Sequence, residues 1–128
     1  MFTAQRIDHV EVFVSDIPGA AKWYGEVFGL KEITRWDPEP VMIGIGGNML
    51  ALFKANSPRT DHGEEAHWHR VAWHTDQAGF ADAQQHLKSL GIAFRGPLDH
   101  RQSESIYFPD PDGNPLEITC YKSNESSR

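Results

Sequence analysis

The sequence predicts an α+β fold made of two tandem β-α-β-β-β modules. Three observations carry that expectation: a strand–helix–three-strand pattern occurs twice, its punctuation recurs, and a polar stretch separates the copies. In IDHVEVFVSD (7–16), Val10, Val12 and Val14 alternate with His9, Glu11 and Phe13, the period of a half-buried strand. Asp16 and Pro18 then open a helix whose apolar stripe is Ala20, Ala21, Trp23, Tyr24, Val27 and Phe28, and Gly29 ends it. KEITRW, VMIGI and NMLALF follow as strands, divided by Asp37-Pro38 and Gly46-Gly47.

Residues 55–66 lack apolar periodicity and contain Pro58 and Gly63, so they form the expected linker. The order then restarts: HRVAWHT (69–75) is a strand, and residues 77–91 form a helix with Phe80, Ala83, Leu87 and Leu90 as its stripe. IAFRG, SIYF and PLEITCY complete the copy. The helix-ending Gly29-Leu30 recurs as Gly91-Ile92, and the turn Gly47-Asn48 recurs as Gly113-Asn114. The expected bounds are module one over 5–54, module two over 67–122 and a disordered tail at 123–128. One half alone would bury little surface, so a single domain combining both halves is expected.

The 128 residues carry 12 Lys+Arg against 18 Asp+Glu, a net charge of −6. That balance argues against a nucleic-acid or acidic-membrane surface. No apolar run is long enough to span a bilayer, and the N-terminus lacks a signal-peptide core, so a cytoplasmic protein is expected. Cys120 is the sole cysteine, which excludes an internal disulfide and a thiolate zinc cluster. Packed as a small hydrophobe, it needs no further role. Seven histidines stand out, since imidazole both ligates metals and carries protons near neutral pH.

Four segments, DHVEVFVSD, WYGEVFGL, AWHTD and YFPDPDGNPLEI, together resemble the vicinal oxygen chelate superfamily over roughly residues 5–122. That superfamily includes glyoxalase I, extradiol dioxygenases, fosfomycin-resistance enzymes and bleomycin-resistance proteins. From His100 through Ile106-Tyr107, Asp110-Pro111 and Gly113 to Glu117, the spacing follows the extradiol dioxygenase signature. The resemblance implies βαβββ modules curving into a barrel-like mixed sheet around a central cavity, and a homodimer. It also implies a small-molecule substrate that offers adjacent oxygens to a divalent metal: Fe(II), Mn(II), Ni(II) or Zn(II).

On that resemblance His9 and Glu117 occupy metal-ligand positions. The second-module ligand stays open between two alignments. Matching Ala72-Trp73 to the family pattern assigns Arg70, which strand alternation places with Ala72 and His74. Matching Asp76 to Asp16 assigns His69 instead. Arginine stays protonated and cannot ligate a metal, so with Arg70 in place the cavity holds an Arg70–Glu117 ion pair that binds an anionic or hydrogen-bonding ligand. His74 lies roughly 13 Å along the strand from Arg70 and lines the cavity as a substrate contact. His100 and Tyr107 are the expected catalytic pair, moving a proton and donating to a developing oxyanion. His62, His67 and His86 are expected to be structural or exposed. The first-module counterpart of Glu117 falls near Ala51, which disfavours glyoxalase-type proton transfer.

Two functions stay open. One is a metal-dependent enzyme of glyoxalase or dioxygenase type. The other is a metal-free small-molecule-binding protein, like the bleomycin-resistance group, with Arg70 and Glu117 in its cavity and no cofactor.

Overall fold

The computed structural model describes residues 1–3, 5–55 and 70–122. The expected linker past residue 55, the tail at 123–128, and His62, His67 and His69 lie outside the described residues. The chain divides into two compact units, Met1–His67 and Trp68–Arg128. The first contains β1 (His9–Val14), α1 (Ile17–Phe28), β2 (Lys31–Arg35), β3 (Val41–Ile45) and β4 (Asn48–Lys54). The second contains β5 (Val71–His74), α2 (Gln77–Ser89), β6 (Arg95–Asp99), β7 (Ser103–Pro109) and β8 (Pro115–Tyr121). The α+β expectation of two βαβββ modules is met.

Each unit forms one four-stranded mixed sheet, ordered β1-β4-β3-β2 and β5-β8-β7-β6. First and last strands pair in parallel, and the remaining neighbours are antiparallel. A parallel partner cannot be reached through a hairpin, so each first strand leads into a helix before the chain returns. Among the described residues, no strand of one sheet pairs with the other and neither sheet closes on itself. No helix of the described residues is long and apolar enough to cross a membrane.

Helix boundaries follow local chemistry. Asp16 caps α1 in an extended conformation with Pro18 in the first turn, and Ala20, Tyr24 and Val27 form its buried side. Gly29, at φ +74°, lets the Leu30 N–H turn back to the Tyr24 carbonyl. Asp76 caps α2 by accepting from the Gly79 N–H at 2.8 Å. Its far end explains a displaced strand. The Ile92 N–H donates to Leu87 O at 2.9 Å, so Ile92 belongs to the helix cap. The strand expected at IAFRG therefore begins at Arg95 and runs on to Asp99. Leu90, expected in the stripe, is the C-cap residue and 38% exposed.

The strongest sequence motif is a turn. Asp110 is 3% exposed, and its Oδ1 accepts from the backbone N–H groups of Asp112 at 2.9 Å and Asn114 at 2.8 Å. Its Oδ2 accepts from the Asn114 side-chain amide at 2.8 Å, while Gly113, at φ +85°, donates its N–H to Asp110 O. Closing the loop this way fixes the β7–β8 register, with Pro109 opposite Pro115, Phe108 opposite Leu116 and Tyr107 opposite Glu117. Asp110→Ala strands three donors and is expected to lower stability by about 1–3 kcal/mol. A urea midpoint unchanged from the native protein would contradict that structural role.

Candidate functional site

In the second unit one row crosses the whole sheet. Ala72 pairs with Glu117, Glu117 with Tyr107, and Tyr107 with Arg95. Strand alternation then puts Ala72, His74, Glu117, Thr119, Tyr121, Ser105 and Tyr107 on one face. Leu116, Ile118, Cys120, Ile106 and Phe108 fill the other and are buried. Sequence patterning is consistent here: β8 alternates half-buried and buried at every step.

Tyr107 is the centre of the polar face. The Arg70 guanidinium carbon lies 4.6 Å from its ring centroid and that of Arg95 lies 4.9 Å away. His100 Nε2 meets the Tyr107 hydroxyl at 2.5 Å, with the two rings edge to face. A tight turn between β6 and β7 supports His100: its N–H donates to Ser103 O, and Arg101 adopts φ +76°. Asp99 anchors that turn, accepting from the Arg101 N–H at 2.8 Å and Lys122 Nζ at 2.6 Å. The Lys122 bond, helped by Arg101, lowers the Asp99 pKa below its usual value.

Glu117 is half-buried and its Oε2 accepts the Ser105 hydroxyl at 2.6 Å. The expected Arg70–Glu117 ion pair is not formed: Arg70 stacks on Tyr107, and Glu117 turns to Ser105. An aromatic face holds a guanidinium plane without the full desolvation of a buried ion pair, which favours the stacked arrangement. His74 lies at the other end of β5, its ring 6.0 Å from that of Tyr121.

In the first unit, His9 stands between two carboxylates. Asp8 Oδ2 is 2.8 Å from Nδ1, and Glu11 Oε2 is 3.4 Å from Nε2. The Asp8 hydrogen bond raises the His9 pKa, with Glu11 adding to it. The same bond lowers the pKa of Asp8. These residues line a pocket of about 360 Å³ with Trp36, Asp37, Glu39, Met42 and Phe53. Glu39 is buried and accepts the Lys54 N–H at 2.7 Å.

The internal registers align the units residue by residue. Glu11 pairs with Ala51 as Ala72 pairs with Glu117, and Ala51 pairs with Met42 as Glu117 pairs with Tyr107. Two residues earlier, His9 therefore corresponds to Arg70. Among the described residues, no three His, Cys, Asp or Glu side chains converge to hold a metal ion. Within either unit the donor set does not fit a divalent metal. His9 and Glu117 belong to different units, Ala51 brings no donor, and the His9 counterpart is a guanidinium. His69 lies outside the described residues.

Two contributors escaped sequence reasoning. Arg95 was hidden because IAFRG was framed too early; only the cap at Ile92 and the irregular pairing between Arg95 and Leu98 reveal its register. Ser105 had a usable signal: it shares the period-two face of Tyr107 and is fully buried despite its hydroxyl.

Comparison with known proteins agrees with this architecture. The chain is 29% identical over 116 residues to metallothiol transferase FosB of Staphylococcus saprophyticus, covering 89% of this chain and 76% of that protein. It is 30% identical over 128 residues to biphenyl-2,3-diol 1,2-dioxygenase 2 of Rhodococcus globerulus, covering 92% of this chain and 64% of that protein. A solved structure from the mobile metagenome of V. Pseudocholerae superimposes with a TM-score of 0.79 at 24% identity, covering 96% of this chain and 99% of its own. Residues 6–118 match the family profile itself, and the chain belongs to the Glyoxalase/Bleomycin resistance protein/Dioxygenase superfamily.

Proposed function

We propose that this chain is a small-molecule enzyme of its superfamily in which His100 and Tyr107 handle the proton. The observation that carries the reading is the 2.5 Å contact between His100 Nε2 and the Tyr107 hydroxyl, on the face that also holds Glu117. A tyrosine hydroxyl can donate to a substrate oxygen as negative charge develops there. His100, as an imidazolium, donates its Nε2 proton to the same phenolic oxygen, which restores the hydroxyl and leaves a neutral ring. Ser105 holds Glu117 through Oε2, which orients Oε1 to accept from a substrate hydroxyl. Arg70 and Arg95 add positive charge beside the Tyr107 ring. The substrate class remains a small molecule with adjacent oxygens, as the superfamily resemblance implies.

The competing metal-dependent reading is supported by the similarity to a metallothiol transferase and to a dioxygenase, and by one contact. A carboxylate on Nδ1, as Asp8 provides for His9, is the usual support of a ligating imidazole. Elemental analysis of natively purified protein separates the two. Metal well below one ion per chain is expected. One ion per chain, lost in Glu117→Ala, would overturn the reading in which His100 and Tyr107 act without a metal.

Turnover tests the proton pair. A panel of biphenyl-2,3-diol, fosfomycin with simple thiols, and glutathione hemithioacetals samples three chemistries of the superfamily. For whichever is turned over, Tyr107→Phe is expected to lower kcat by about 10²-fold or more. Full activity in Tyr107→Phe, or no turnover across the panel, would contradict the assignment.

The His9–Asp8 pair gives a pH signature. His9 has a raised pKa, so its contribution to stability is present below its unfolded value and fades as pH rises through the folded one. Asp8 has a lowered pKa, so its contribution is lost as pH falls through that lowered value. The stability gap between native protein and Asp8→Asn should therefore be widest in mildly acidic solution and shrink towards pH 9. A gap constant from about pH 5 to 9 in urea titrations would contradict the pairing.

A further inference from the structure

We infer that Arg70 and Arg95 form an oxyanion subsite around Tyr107, suited to a small carboxylate or phosphoryl compound that presents neighbouring oxygens. The inference deepens the proton-transfer reading, since it names the substrate group that the same face would hold.

The two guanidiniums converge from opposite directions along the sheet. Arg70 precedes β5, and Arg95 begins β6 at the far edge, yet both lie within 5 Å of one ring centroid on β7. Backbone geometry fixes Arg95 at that place. It pairs in register with Tyr107, and Gly96 follows at φ +107°, where a Cβ would stand 2.7 Å from Ser105 O. The chain therefore admits only glycine beside Arg95 without shifting the strand.

Charge accounting points the same way. Among the described residues, Arg6 meets Asp8 and Arg35 meets Glu32, whereas Arg70 and Arg95 meet an aromatic face instead of a carboxylate. Glu117, the acid on their own face, is engaged by Ser105. The Ser105 hydroxyl holds Glu117 without neutralising it, so two guanidiniums and one carboxylate leave a net positive charge on this face, although the whole chain carries −6. Contact with the ring occupies no guanidinium N–H with a carboxylate, so the N–H groups stay available for the paired bonds that carboxylate and phosphoryl oxygens accept. The Tyr107 hydroxyl and His100 stand beside them as further donors. Arg70 also occupies the register position of His9, so a fixed organic cation stands where the first unit offers an imidazole.

Calorimetric titration of the full chain with inorganic phosphate and with oxalate, in low-salt chloride buffer, tests the subsite. Saturable one-to-one binding of at least one anion is expected, and the tighter one identifies the phosphoryl or carboxylate source. Arg70→Gln and Arg95→Gln are each expected to weaken it about tenfold or more. Lys88→Gln, which removes the same charge from α2, should leave binding unchanged. Arg95→Lys keeps the charge but loses the fork, and is expected to fall between. Tyr107→Phe keeps the ring that both guanidiniums contact and loses one donor, so it should weaken anion binding less than either arginine variant while abolishing turnover, which separates this inference from the proton-transfer assignment. No saturable heat from either anion, or equal weakening in Lys88→Gln, would overturn the subsite. So would native-like affinity in both arginine variants.

Discussion

Asp110 gathers three N–H donors of the 110–114 turn onto one buried carboxylate, and the polar face of the second unit depends on that arrangement. A hairpin register has only discrete settings, and a slip by one residue exchanges the two faces of a strand. With the turn closed, β7 and β8 meet so that Tyr107 stands opposite Glu117, and Ser105 lies within hydrogen-bond reach of the same carboxylate. Parallel pairing of β5 with β8 then brings Arg70 to this face, and the irregular β6–β7 pairing brings Arg95. Residues far apart in sequence thus become neighbours through backbone geometry that contains none of the reactive groups.

The same topology is used for different ends in the two units. In the first, the face corresponding to Glu117 and Tyr107 is Ala51 and Met42, which pack with Phe53, Phe13 and Met49 in a hydrophobic cluster. The β3–β4 turn is closed by Gly46 and Gly47, both at positive φ, without a buried acid. Asp8, His9 and Glu11 bring polar groups together at the rim of the first unit. The two units therefore share pairing and crossover, while the corresponding face is apolar in the first and polar in the second.

This division explains what could be read in the sequence. Strand alternation and helix caps are local, so VMIGI and PLEITCY matched their strands residue for residue. Arg70 was placed on the face of Ala72 by alternation alone, but its partner was not legible. An ion pair with Glu117 and a stack on Tyr107 are both compatible with that face, and only packing decides between them. Arg95 failed for a sharper reason. The α2 cap extends to Ile92, and the shift between Arg95 and Leu98 breaks strict period two, so the sequence pattern there misreports which residues point together. The DPDGNPLE segment, whose pattern carried most of the family likeness, contributes chiefly a turn and one carboxylate, Glu117.

The central claim is that His100 and Tyr107 act as one proton-handling pair, and nitrogen NMR of the imidazoles tests it most directly. In the native protein the His100 Nε2 resonance should differ from that of exposed His86 and move towards it in Tyr107→Phe, with His86 unmoved. Identical His100 spectra in the native protein and Tyr107→Phe would contradict the account.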